Sequence, residues 1–246
     1  NIKKNKTTMP LYFSSLTTVS SHMDFSNVPV SQRYFHKNPK NIKEKYSNAI
    51  YVSDKYLQTF FSELGKREYL NNSLVVITGD HSWPLGEHGY YYNESGHYNE
   101  FYKTAALFIW KNNIKNYSIK KPTSQIDIAP TILDLIGINN TTSFMGKSLL
   151  EKNLPNRYIY QIQPYAGTYL GIISWPYKFV THLSTKSNYL YNLQLDEDEN
   201  TNLSSLHSKK SLLKNFEKKI KELKRYQQSI EHDNLFDKSL FNLFDL

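Results

Sequence analysis

The chain has 246 residues, a formal net charge of +8 and a pI near 9.3, with 39% hydrophobic and 21% charged residues. Aromatics at 15%, led by 20 Tyr and 13 Phe, exclude a disordered composition, and the absence of cysteine excludes disulfides, thiolate metal sites and a cysteine nucleophile. The basic residues are scattered in runs no longer than pairs such as Lys209-Lys210 and Lys218-Lys219, so nucleic acid is not an expected partner, whereas a diffuse positive charge suits an anionic substrate or an anionic membrane surface.

In chain order, Leu11-Tyr12-Phe13-Ser14-Ser15-Leu16-Thr17 follows Pro10 and reads as a buried strand running into a polar loop that carries His22. From about Asn41 to Leu64 the apolar spacing becomes helical, through Ile42, Tyr46, Ala49, Ile50, Leu57, Phe60, Phe61 and Leu64, with Gly65 placed as a C-cap. After Asn71-Asn72-Ser73, the run Leu74-Val75-Val76-Ile77-Thr78 predicts a strand covered on both faces, as in a parallel α/β sheet. A second buried strand is expected at Ala105 to Trp110. A helix follows at Ile128 to Ile136, with Pro130 in its first turn and Gly137 past its end.

Beyond Pro155 the texture changes. Short strands at Tyr158 to Gln163, Tyr169 to Ser174, Lys178 to His182 and Tyr189 to Asn192 predict an antiparallel meander. A closing amphipathic helix carries Leu212, Leu213, Phe216, Ile220 and Leu223, and an apolar tail follows from Leu235 to Phe244. The domain boundary is accordingly placed at 150/151. No apolar run reaches the length of a membrane span. The chain opens on Asn1 rather than Met, which is compatible with a processed or truncated product whose anchoring segment lay upstream.

The strongest chemical signal is Thr78-Gly79-Asp80-His81, directly after a predicted strand, where open α/β sheets place their ligands. A carboxylate and an imidazole on one tight turn can reach a single divalent cation. Read locally, the same residues serve equally as a turn-capping Asp and a surface His.

The wider context resembles the sulfatase and lipoteichoic-acid-synthase families of the alkaline phosphatase superfamily. Val75 to Ser82 followed by Leu85-Gly86-Glu87-His88-Gly89 is similar to their "strand, Ser/Gly-Asp-His-Gly, then Leu-Gly-Glu-His/Asn-Gly" signature. Gln125-Ile126-Asp127-Ile128-Ala129-Pro130-Thr131-Ile132-Leu133-Asp134-Leu135 resembles the sulfatase "Asp-Leu-Ala-Pro-Thr-Ile-Leu-Asp-Leu" helix, and Gly146 to Leu150 resembles the "Gly-Arg-Ser-Leu-Leu" that follows it. Tyr189 to Leu193 and Glu199 to Leu203 resemble the late "Leu-Tyr-Asp-Leu … Glu-x-x-Asn-Leu" segment. Ser82 departs from the family's usual Gly.

The resemblance implies an incomplete alkaline-phosphatase-like α/β fold, its mostly parallel sheet flanked by helices, with a small C-terminal antiparallel sheet plus helix. Residues 1–150 would be the C-terminal part of the catalytic domain and 151–246 an α+β subdomain. It implies that Asp80 and His81 ligate one divalent metal ion (Mn, Zn, Ca or Mg). It also implies that His22 and His97 act as catalytic and substrate-binding groups on the sulfo or phosphoryl oxygens. Glu87 and His88 read first as loop-ordering residues, and His182, His207 and His232 as surface histidines.

No nucleophile is identified in the chain. In family order it precedes residue 1, and the lookalike Ser174-Trp175-Pro176-Tyr177-Lys178 falls in the predicted meander with Lys in place of Arg. The expected activity is sulfatase-like hydrolysis of an anionic sulfate or phosphate ester outside the cytoplasm, with this chain as an inactive C-terminal portion. The alternatives are a phosphoglycerol or phosphoethanolamine transferase acting on an envelope glycan or lipid, and a catalytically dead binding module.

Overall fold

The computed structural model describes residues 12–92, 96–110, 118–138, 144–151, 156–163 and 168–231. The chain divides into two compact units, residues 1–69 and 70–246.

In the first unit, helix α1 (Ile42–Lys66) begins where the Asn41 side chain accepts the Glu44 backbone N–H at 2.9 Å. The Glu44 carboxylate in turn accepts the Lys40 N–H at 2.7 Å, so orphan donors at the helix start are satisfied from both directions. Gly65 does not cap this helix. The Arg67 N–H still reaches Glu63 O, and the left-handed residue that turns the chain is Glu68, at φ 57°. Asn48 sits on the buried face of α1, and its amide is consumed by the preceding loop. It accepts from the Phe35 and His36 N–H groups at 3.1 and 3.2 Å and donates to His36 O at 2.7 Å. A buried amide with all these partners carries little desolvation penalty and fixes the loop against the helix.

The strand expected at residues 11–17 does not form among the described residues. Tyr12, Phe13 and Leu16 are 91%, 86% and 76% exposed. A strand is completed only by a neighbour's N–H and C=O groups, and residues 12–19 pair with no described strand.

In the second unit, β1 (Leu74–Thr78) pairs with β2 (Ala106–Trp110), with Leu74 opposite Trp110 and Thr78 opposite Ala106. Both strands stand where the apolar runs predict, but the pair is antiparallel rather than parallel. An apolar run reports cover on both faces and carries no information on chain direction. The cover itself is partial, since β1 is half-buried and Leu107 is 54% exposed. A short helix, α2 (Asn99–Tyr102), lies between them in sequence.

Helix α3 (Ile128–Leu135) is entered through a capping box of Ser124 and Asp127. It is closed by Gly137 at φ +75°, with the Ile138 N–H returning to Leu133 O at 2.9 Å, the αL termination expected of a glycine past a helix. Strands β3 (Ile159–Gln163), β4 (Tyr169–Ser174), β5 (Tyr177–His182) and β6 (Asn188–Asn192) form the antiparallel meander in sequence order.

One face of the meander sends Leu170, Ile172, Phe179 and Leu190 into a core closed by Phe216 and Ile220 of α4 (Lys210–Glu231). There the Phe179 and Phe216 rings stack at 5.6 Å. The other face buries Ile159, Ile173, Tyr191 and Leu193. The tail from Leu235 to Phe244, together with Leu11 and His232, lies outside the described residues. No helix among the described residues is long and apolar enough to cross a membrane.

Candidate functional site

The turn after β1 brings Asp80 and His81 together. Asp80 Oδ1 accepts the His81 backbone N–H at 2.9 Å, while Oδ2 stands 3.6 Å from His81 Nε2. One carboxylate oxygen therefore caps the turn and the other faces the imidazole. His81 Nδ1 lies 2.7 Å from the Ser82 carbonyl oxygen. A carbonyl only accepts, so Nδ1 carries a proton, and Nε2 is the ring nitrogen on the carboxylate side. A ring nitrogen held by a backbone carbonyl leaves the opposite nitrogen as the one that can meet a cation. Asp80 is 89% exposed and His81 45%, so both donors are accessible to a cation. Among the described residues no cluster of three or more His, Cys, Asp or Glu side chains could hold a metal. The turn thus fits part of a coordination sphere.

The turn is held from outside by Gln125, whose Nε2 donates to the Gly79 and Asp80 carbonyl oxygens at 2.8 and 2.7 Å. A Cβ at Gly79 would lie 2.5 Å from Thr104 Oγ1, so a larger residue there would require the Thr104 side chain to turn aside. Ser82 replaces the family glycine without strain of its own, and its hydroxyl donates to Lys103 O. Further along, Glu87 accepts the Leu85 N–H at 2.6 Å. His88 Nδ1 meets Glu100 Oε1 at 2.7 Å, and its ring stacks on Tyr98 at 3.8 Å. These are loop-ordering contacts.

His97 is placed differently. It is 3% exposed, stacked against Tyr98 at 4.2 Å and Tyr189 at 4.0 Å, with Nε2 bonded to Tyr191 Oη at 3.0 Å. Burial, with Lys178 adding to it, pushes its pKa down to about 3. This imidazole is neutral across the physiological range and packs a tyrosine cluster, not the solvent face that a substrate-binding histidine needs. Sequence spacing alone could not foresee this, because the clamp comes from strands far along the chain. His182 is likewise no surface residue. It is buried, with Nδ1 accepting the Thr185 N–H at 3.1 Å and its ring 4.4 Å from that of Tyr169. His207 is exposed, as expected.

In the first unit, His22 is exposed on a turn whose carbonyl accepts the Phe25 N–H at 3.0 Å. Its Nδ1 lies 2.6 Å from Met23 O. Nδ1 therefore carries a proton, and a second proton on Nε2 would make the ring a donor to an anion. The Ser174 to Lys178 lookalike forms the β4–β5 turn, and Lys178 is fully buried against Glu199 at 2.7 Å, which removes it from any nucleophile motif. Neither that ion pair nor the role of Gln125 was singled out by sequence reasoning, although Glu199 and Gln125 stand inside the recognisable motifs.

The family model described as Sulfatase matches residues 2–138, and one described as N-sulphoglucosamine sulphohydrolase, C-terminal, matches residues 86–226. Arylsulfatase K of Danio rerio is 28% identical over 182 residues, covering 68% of this chain and 34% of that protein. Lipoteichoic acid synthase 2 of Bacillus subtilis is 25% identical over 120 residues, covering 46% of this chain and 18% of that protein. The chain thus spans about a third or less of the length of these relatives. Among solved structures, a putative sulfatase from Bacteroides thetaiotaomicron superposes with a TM-score of 0.61 at 19% identity, over 92% of this chain and 56% of that one. BT4656, in complex with its substrate D-glucosamine-2-N,6-O-disulfate, superposes with a TM-score of 0.60 at 20% identity, over 75% of this chain and 40% of that one. At these identities the superpositions show the fold, which is alkaline-phosphatase-like α/β.

Proposed function

The chain belongs to the sulfatase family, and from that membership we propose that it carries the cation-gripping part of a sulfuric-ester hydrolase. The observation that supports this most directly is the convergence of Asp80 Oδ2 and His81 Nε2 at 3.6 Å on one turn, with His81 Nδ1 engaged by the Ser82 carbonyl oxygen.

In this reading Asp80 and His81 hold one divalent cation, which supplies Lewis-acid stabilisation of negative charge on the ester oxygens. A mixed carboxylate and imidazole set accepts Mn, Zn, Mg or Ca, with the imidazole favouring the first two. Gln125 and the Ser82 carbonyl keep the two donors aimed. His22, once protonated on Nε2, hydrogen-bonds the sulfo group or returns a proton to the leaving oxygen. His97 supports the segment between the turn and β2 by packing. The nucleophile and the remaining ligands come from outside these 246 residues, and the site works outside the cytoplasm on an anionic ester. Phosphoglycerol transfer is the second reading, supported by the 120-residue likeness to lipoteichoic acid synthase 2.

Titration calorimetry with Mn²⁺ or Zn²⁺ tests the cation site without requiring turnover. Asp80→Ala and His81→Ala should each weaken binding by about 100-fold, the upper end of what even outer-shell partners cost, and Gln125→Ala by about tenfold. Unchanged affinity in both ligand variants would remove the metal from the turn. The 246-residue chain alone should show no cation-dependent release of sulfate from aryl sulfates. A protein extended upstream through the nucleophile should show it and lose it on Asp80→Ala. Transfer of phosphoglycerol from phosphatidylglycerol by that longer protein would install the second reading instead.

A further inference from the structure

Within the first unit, the loop after His22 and the opening turns of α1 line a half-open cavity of about 440 Å³, bordered by Phe25, Val28, Arg33, Lys40, Lys45 and Asn48 among others. Its size lies within the range of small-molecule sites. Phe25 and Val28, 2% and 3% exposed, give it an apolar wall, and Asn48 is already saturated by the backbone of residues 35 and 36. Every charged side chain that lines it is cationic.

Arg33 is the fixed element. Its Nε donates to Val28 O and its Nη1 to Lys37 O, both at 3.0 Å. Two backbone carbonyls thus set the plane of the guanidinium, and Nη2 has no partner among the described residues. Such a pre-oriented fork suits sulfate and carboxylate oxygens, because little side-chain freedom remains to be lost on binding. The Lys40 ammonium also has no ion-pair partner among the described residues, while Lys45 stands 3.7 Å from the exposed carboxylate of Asp24. Asp24 and Glu44 are the neighbouring acids, and neither lines the cavity. The His22 turn leads straight into it, since the Phe25 N–H is bonded to His22 O. Phe25 itself takes φ 58°, the left-handed backbone that delivers its ring to the wall.

We propose that this cavity binds an anionic group, a sulfate or carboxylate, on a monosaccharide-sized sugar. The choice of a sulfated sugar rests on the hydrolase reading above. That the cavity takes a charged sugar rests on its own size and charge.

Calorimetry on the 246-residue chain in chelator-containing buffer, where no cation engages Asp80 and His81, separates the two. D-glucosamine-2-N,6-O-disulfate should bind, and plain glucosamine should not. The Lys40→Gln/Lys45→Gln double variant, altered only at partly exposed side chains, should bind roughly five- to tenfold more weakly, as expected for screened charge contacts. Arg33→Lys, which keeps the charge and loses the fork, should also weaken binding, and Asp80→Ala should not. Equal affinity of wild type and the double lysine variant would overturn the proposal. So would equal binding of glucosamine, or binding of phosphatidylglycerol vesicles in place of the sugar. Lysine-dependent binding in a longer protein that releases no sulfate would strike the hydrolase reading and leave the cavity assignment standing.

Discussion

Glu199→Gln should cost the fold about 3–5 kcal/mol, the range for breaking a buried ion pair from one side. The Lys178 and Glu199 side chains are 0% and 1% exposed, with Nζ and Oε1 2.7 Å apart. Glu199 Oε2 also accepts the Asn99 N–H at 2.5 Å, and the ammonium donates to Asn99 Oδ1 at 3.2 Å while lying 5.5 Å from the Tyr102 ring centre. An amide at 199 keeps the shape and removes the carboxylate charge paired with Lys178. Burial pushes the Lys178 pKa down and the Glu199 pKa up, each against the attraction of the partner. Desolvation therefore outweighs the Coulomb gain on both sides, and the pair adds little net stability. Lys178→Met/Glu199→Met should accordingly recover most of the loss, within about 1 kcal/mol of wild type. Urea denaturation with a constant m-value checks both variants. A Glu199→Gln midpoint equal to wild type would mean that water reaches the pair. What the pair secures is connection: α2 and the segment beyond the Asp80 turn are fastened to the meander through Asn99, Tyr102 and Glu199, contacts that a purely apolar core would not restrict to one register.

The elements legible in the sequence are those whose signal is local. Asn41 announced α1, Pro130 and Gly137 bracketed α3, and the alternation from Tyr158 onward gave four strands within a residue of their observed ends. The Asp80–His81 turn was legible for the same reason, being a strand end followed at once by its donors. Three kinds of information were not local. Strand direction depends on the path of the chain between residues 78 and 106, which the apolar run at Leu74 does not record. The state of His97 depends on Tyr189 and Tyr191, more than ninety residues away. The burial of Lys178 depends on Glu199, which belongs to the loop after β6. The apolar run at Tyr12 and Phe13 shows the opposite failure: strong strand composition gave no strand, because composition supplies side chains for a sheet and not the neighbouring backbone.

Asp127→Ala is the second large effect, expected at about 3–5 kcal/mol by the same mechanism. Asp127 is fully buried. Its Oδ2 accepts the Ser124 N–H at 2.8 Å and the Arg157 guanidinium, and its Oδ1 accepts the Lys147 N–H at 3.0 Å. Alanine would leave a largely buried cation and two backbone donors without partners, each an uncompensated desolvation. The Asp127 main chain is part of the same joint, since its carbonyl accepts Thr131 Oγ1 at 2.6 Å and that hydroxyl accepts the Leu149 N–H at 2.9 Å. The segment around Gly146 lies so close that a Cβ there would meet Ile126 O at 1.9 Å. Everything that fixes Asp127 also fixes Gln125 two residues earlier, and Gln125 grips the carbonyls of Gly79 and Asp80. Asp127→Ala should therefore lower both the denaturation midpoint and the cation affinity measured below that midpoint. Asp127→Asn, which keeps an acceptor for one of the two backbone donors but not the charge for Arg157, should fall between alanine and wild type in stability. If stability dropped while the folded fraction bound the cation as wild type does, the α3 entrance would be a folding joint with no hold on the metal turn.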